Sequence, residues 1–198
     1  AELAPDREGA DSYRAVGEST LGYEVLGSER DLPRLRDSME LAGAIVAIEK
    51  NGTRARVAAA LRELSPHMAF ATAVHPRASL ARGVEVGAGT VVMAGAVVNT
   101  DAMVGQHCIL NTSCSLDHDS HVGDYASLAP GATTGGNVRI GPFAAVGLGA
   151  AVIHGVTIGE HTVVGAGATV LGDLGGHSVA YGTPARVVRT RSEGERYL

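Results

Sequence analysis

The sequence predicts a mainly β chain in which a three-sided coil of short parallel strands follows a small α/β domain. Three observations predict it. From Val74 to Gly175 the residues fall into an unbroken sixfold frame, from VHPRAS, LARGVE and VGAGTV through to VLGDLG. The first position of each hexad is Val, Leu or Ile, with Thr134 the single exception, and the fifth is small or β-branched until Leu174. Finally, the chain has 27 glycines, no tryptophan and only 19% charged residues, so large side chains do not build its core.

A period of six matches neither a helix of about 3.6 residues per turn nor plain strand alternation, but it suits short strands joined by corners. Three sides close one coil, so residues 18 apart stack. The aliphatic first positions then point inward. Glycine recurs at the second position (Gly87, Gly105, Gly123, Gly141, Gly147, Gly159, Gly165), where a corner is expected to need unusual dihedrals. Cys108 and Cys114 occupy fifth positions of adjacent hexads, form no CxxC, and read as small inward-facing free thiols of a reducing cytoplasm.

Upstream, YEVLG and DLPRLRDSMELA read as a strand edge, a turn and a helix. GAIVAI suits a buried strand, GTRARVAAALREL a helix and AFATAVHP a returning strand. The expected organisation is therefore loop or poor order over 1–22, an α/β domain over 23–73, the coil over 74–181 and a tail over 182–198. A net charge of -5 leaves no electrostatic footprint for nucleic acid or anionic lipid, and no apolar run is long enough to span a bilayer. The chain opens at Ala1 without a charged-then-apolar leader, so no signal peptide is expected and the cytoplasm is the expected location.

The order of parts, together with FATAVHPRA, VVMAGAVVN, CILNTSCSLDHDSHVGD and GTPAR, resembles the hexapeptide-repeat sugar acetyltransferases. Within that family the likeness is to the branch of sialic acid O-acetyltransferases and N-acetyltransferases of nucleotide-linked 4-amino sugars. The resemblance implies a left-handed parallel β-helix, a homotrimer, acetyl-CoA as co-substrate, a small-molecule sugar acceptor and no metal. Two departures stand out: the sequence has no Gly-Gly-x-Gly-His type loop, and Glu49-Lys50 replace the Gly-Asp that commonly precedes Asn51. Both fall where the family holds its nucleotide, so the α/β part reads as a truncated nucleotide-binding-like domain.

Acetyl transfer needs a base, donors for the developing oxyanion and a groove for the pantetheine arm. Of eight histidines, His118 is flanked by Asp117 and Asp119, either of which could orient the ring and raise its basicity. The 18-residue stack also sets Gly136 directly above His118, an expected gap for an acetyl group. A solvated corner histidine is the plain alternative. The resemblance places the base at His118 and its modulator at Asp119, with Asn111 and Asp117 beside the acceptor. Asparagine also serves corners for structural reasons, and both readings stand for Asn111.

For the cofactor the resemblance points to Ser127, Gly136, Leu148 and Ala166, with Ser127 standing where many relatives have a histidine. Leu148 and Ala166 stack on a different side from His118, so a groove between two subunits would best join them; simple stacking is the alternative. Arg186, Arg189 and Arg191 offer a cation for CoA phosphate or a solvated basic end. A gamma-type carbonic anhydrase would use His118 and His154, but its third ligand falls on Gly159. A non-catalytic scaffold is the remaining reading of another class.

Overall fold

The computed structural model describes residues 16–195. They divide into two compact units, one ending at Leu41 and the other beginning at Ala42. In the first, β1 (Ser19–Thr20) pairs antiparallel with β2 (Tyr23–Glu24), so part of the expected 1–22 loop is a strand, while residues 1–15 lie outside the described ones. A single 3-10 turn (Glu29–Asp31) leads into α1 (Leu32–Met39), with the Ser28 amide and hydroxyl both donating to Asp31 Oδ2 at 2.9 Å.

The second unit opens with β3 (Gly43–Ala44), α2 (Asn51–Leu64) and β4 (Ala69–Phe70), the two strands pairing in parallel. The solenoid starts at β5 (Ala73–Val74). Each of its strands is two residues long, made of the sixth position of one hexad and the first of the next, and pairs with the strand 18 residues on, as in Met103↔His121 and Val104↔Val122. Three ladders result. The first side runs from β5 through Ile109–Leu110 to Val163–Val164, the second from Ser79–Leu80 to Thr169–Val170, and the third from Glu85–Val86 to Thr157–Ile158. The start of the tail is strand: Ser178–Gly182 extends the first side and pairs antiparallel with Ala185–Thr190.

The inward columns form one continuous core. Val98, Leu116, Leu110, Leu128 and Val146 represent the first positions, while Ala96, Cys108, Cys114, Ala126 and Ala144 represent the fifth. Both cysteines are buried free thiols, and desolvation pushes each up to about 12, so they are packing groups rather than nucleophiles. Each buried Leu or Val stabilises the fold by about 1.5–3 kcal/mol, repeated coil after coil.

The second-position glycines answer a different need from the one expected. None of Gly87, Gly105, Gly123, Gly141, Gly147, Gly159 and Gly165 has positive φ; the left-handed backbone falls at the fourth position instead, on Gly89 and Gly95 but also on Asp101, His107, Ser113, Asp119, Tyr125, Asn137 and Phe143. What the second position lacks is room. A Cβ on Gly141 would lie 2.5 Å from Glu160 N, and one on Gly87 2.5 Å from the Gly105 carbonyl carbon.

At the corner between the third and first sides, the rings of His107, Tyr125, Phe143 and His161 stack at 4.7–5.1 Å, with Phe70 edge-on to His107 at 4.5 Å. The start of α2 binds the backbone of this column. Arg54 is 1% exposed and engages all five guanidinium donors: Nε on His107 O, Nη1 on Ile48 O and Glu49 O, and Nη2 on Tyr125 O and Asn51 Oδ1, at 2.7–2.8 Å. Asn51 Nδ2 reaches Phe143 O and Ala144 O at 3.2 Å. One helix end thus ties three successive coils. His107 is itself buried, with neither ring nitrogen hydrogen-bonded within the described residues. Burial holds its pKa below the ordinary 6.5; Arg62 and Arg54 push the same way, against Asp124.

Two stability predictions follow from this packing. Gly141→Ala is expected to cost about 1–3 kcal/mol in denaturant unfolding, whereas Gly172→Ala, with nothing within 4 Å of its Cβ, stays near wild type. A neutral His107 contributes its full stability above the unfolded-state pKa and loses it as pH falls through 6.5 toward the depressed folded value. His107→Phe, a residue its column already accepts at Phe143, is therefore expected to flatten the loss of thermal midpoint between about pH 7 and pH 5.

Candidate active site

His118 follows the strand Ser115–Leu116 at the corner between the second and third sides, and its side chain is half exposed. The corner places Asp119 in the left-handed region, φ +55°, where a short polar side chain is tolerated. That turn sets Asp119 Oδ2 2.7 Å from His118 Nδ1. An ionised carboxylate can only accept, so Nδ1 carries the proton and Nε2 keeps its lone pair for a substrate. The Asp119 hydrogen bond is the leading cause that raises the imidazole above its ordinary pKa, with the charges of Asp117 and Asp119 adding to it.

Gly136 does stack on His118, but the slot is not a gap. A Cβ on Gly136 would lie 2.5 Å from His118 Nε2, so the imidazole itself lies over the glycine and buries it. The glycine is needed for the ring, which fills the slot expected for an acetyl group. The His118 carbonyl accepts from Asn137 N at 2.8 Å, tying the corner to the coil above.

Asp117 is engaged through Oδ1, which accepts from His118 N at 2.8 Å and from Asn99 Nδ2 at 2.7 Å; Oδ2 carries no hydrogen bond within the described residues. Those two donors, His118 N first, hold its carboxyl below the usual range. Asn111 stands at the preceding corner, between the first and second sides, with Oδ1 accepting from Thr112 N at 2.8 Å and its amide nitrogen making no hydrogen bond among the described residues.

The remaining expected contacts are spread over two corners and a side. Leu148 and Ala166 are exposed on the same corner as Asn111, Ser127 is half-buried on the first side, and only Gly136 belongs to the His118 corner. Two surface depressions of about 200 and 430 Å³ lie on the third side around Glu85, Met103 and His121, and beside Leu171 and Arg186; neither includes His118. Of the tail arginines, Arg191 is buried on His161 O and Arg189 pairs with Glu195, whereas Arg186 is exposed. Among the described residues no group of three or more His, Cys, Asp and Glu side chains is arranged to hold a metal, and no helix is long and apolar enough to cross a membrane.

No protein-family model and no curated protein matches the chain. Solved structures do. The GDP-perosamine N-acetyltransferase of Caulobacter crescentus, crystallised with CoA and GDP-perosamine, is 38% identical with a TM-score of 0.82, over 85% of this chain and 80% of its own. A histidine-to-alanine variant of the same enzyme gives 37% identity and 0.83, over 87% and 80%. The chain belongs to the hexapeptide-repeat sugar N-acetyltransferases. The acetyltransferase domain of PglB from Neisseria gonorrhoeae, bound to acetyl coenzyme A, matches at 31% identity and TM-score 0.82, over 89% of this chain and 83% of its own. The solenoid is accordingly the left-handed parallel β-helix of that family, and the metal-enzyme and scaffold alternatives have no comparable support.

The sequence showed His118 flanked by two acids, and the family resemblance pointed to Asp119 as its partner; Asn99 was not singled out, although the 18-residue stack puts it directly beneath Asp117. Ring-proton NMR of His118 is expected to titrate above 6.5 in the native protein and to move down toward 6.5 in Asp119→Asn.

Proposed function

We propose that the protein transfers an acetyl group from acetyl-CoA to the amine of a nucleotide-linked amino sugar, with His118 as general base. The observation that carries the reading is the exposed His118–Asp119 pair, 2.7 Å apart, with Nε2 making no hydrogen bond among the described residues, on a family scaffold. The acceptor nitrogen attacks the thioester carbon and a C–N bond forms. His118 Nε2 takes the proton released, the C–S bond breaks, and the proton passes to the departing CoA thiolate. Asp119 stabilises the imidazolium meanwhile.

Asn111 and Asp117 Oδ2 are the groups we assign to the acceptor, and Ser127, Leu148 and Ala166 to acetyl-CoA, while Gly136, covered by the imidazole, serves the ring instead. His118 and Gly136 occupy one corner while Asn111, Leu148 and Ala166 occupy another, and neither of the two depressions described above includes His118. A site that uses both corners takes one from each of two copies, which supports a homotrimer with the reaction at its grooves. The pair of buried free thiols supports a reducing compartment, and we place the reaction in the cytoplasm.

Turnover of acetyl-CoA with GDP- and UDP-linked 4-amino sugars and with free sialic acid tests the assignment. Release of CoA with an amino sugar is expected; reaction with sialic acid alone would instead indicate O-acetylation. His118→Ala is expected to lower kcat by about 10²–10⁴ with the trimer mass unchanged in sedimentation. Since protonated His118 cannot act as a base, kcat/KM rises with pH through its raised pKa. Acetyl-CoA is expected to raise the thermal midpoint of both proteins by mass action, and no shift in either would remove the cofactor from the proposal.

A further inference from the structure

Thr134 is the one non-aliphatic residue at the first position of the hexad frame, and it is 8% exposed in a column otherwise formed by Val98, Leu116, Val152 and Val170. A hydroxyl in an apolar ladder gains nothing from burial unless it is bonded. Its Oγ1 accepts from Asp117 N at 3.0 Å.

That bond replaces a rung of the solenoid. In the coil before, the equivalent amide, Asn99 N, donates to Leu116 O at 2.9 Å; in the coil after, Gly135 N donates to Val152 O at 2.8 Å. Correspondingly, Ser115–Leu116 and Thr133–Thr134 are in register only at Ser115↔Thr133, whereas the flanking pairs of this side register at both residues. The second side therefore departs from its own repeat directly at the base. From the other direction Asn99, one coil earlier, fixes the Asp117 carboxylate at 2.7 Å, and the same oxygen takes the His118 amide.

We infer that Thr134 and Asn99 are positioning residues for acetyl transfer, acting through Asp117 to set the corner that carries His118. Asp117 is gripped by its amide from the coil after and by its carboxylate from the coil before. Neither grip follows from the repeat, which would place an aliphatic residue at 134 and needs no amide at 99. This assignment rests on the acetyltransferase reading for its kinetic test and on geometry alone for its spectroscopic one.

Thr134→Val restores the aliphatic column and lets the Asp117 amide return to the ladder, so folding stability is expected to hold or rise. Its kcat is nonetheless expected to fall about ten-fold or more, since small misplacements of a reacting group are costly, with KM for acetyl-CoA unchanged. Thr134→Ser, which keeps the hydroxyl, recovers most of that loss. Asn99→Ala lowers kcat likewise and does not add to the effect of Asp117→Ala, because both remove the same amide–carboxylate contact; Thr134→Val acts on the backbone amide that Asp117→Ala retains, and its effect persists in that background. Independently of turnover, the NMR midpoint of the His118 ring is expected to fall in Thr134→Val and Asn99→Ala. Full kcat and an unmoved His118 midpoint in Thr134→Val, or additivity of Asn99→Ala with Asp117→Ala, would overturn the inference. A native protein inactive with every sugar would overturn the acetyltransferase reading instead, leaving the His118 midpoints to decide this one.

Discussion

Every feature of the solenoid depends on the register of 18 residues by which each strand hydrogen-bonds to its counterpart one coil on. Parallel ladders repeated on three sides draw the coils so close that the glycine column Gly87, Gly105, Gly123, Gly141 and Gly159 has backbone where a Cβ would stand. The same spacing stacks Val on Leu in the interior, ring on ring along the His107 corner, and imidazole on glycine at His118. The site is thus a by-product of a packing rule, with the chemistry supplied by the few positions that the rule leaves outside.

Much of this was legible because a fixed period converts sequence distance directly into spatial position. The inward columns, the burial of Cys108 and Cys114, and the juxtaposition of His118 with Gly136 all follow from counting. What counting misses is conformation within the hexad and side-chain reach. Left-handed backbone falls at the fourth position, where Asp, His, Tyr and Phe occur as well as glycine, so composition pointed to the wrong corner residue. The slot over Gly136 was read as room for substrate because a column diagram does not show that an imidazole can fold back onto it. Arg54 escaped notice for a related reason: among other arginines of a helix, nothing marks the one whose donors all meet carbonyl oxygens and an amide oxygen.

The electrostatics of the corner separate two adjacent carboxylates into different tasks. Asp119 bonds the imidazole side chain and makes it a stronger base. Asp117, on the other side of the histidine in sequence, bonds the backbone amide instead and is kept ionised by it. The alternation arises from the turn itself, since the residue before the corner faces back into the coil while the residue in the left-handed region swings its carboxylate out beside the ring. The two acids that flank His118 and seemed interchangeable in the sequence are thereby told apart by the left-handed backbone at Asp119.

The stacking rule also limits how such a chain can change over evolutionary time. Adding or deleting 18 residues inserts or removes a whole coil and leaves every column aligned, whereas a gain of six would carry all later residues round to the next side. Lengthening of the prism is consequently quantised, and the histidine corner can be inherited unchanged by solenoids of different height. The helix end that grips the carbonyls of His107, Tyr125 and Phe143 imposes a stricter condition, because it spans three consecutive coils and admits no new one among them. Insertion is forbidden within the clasped segment, which contains the coil that carries His118.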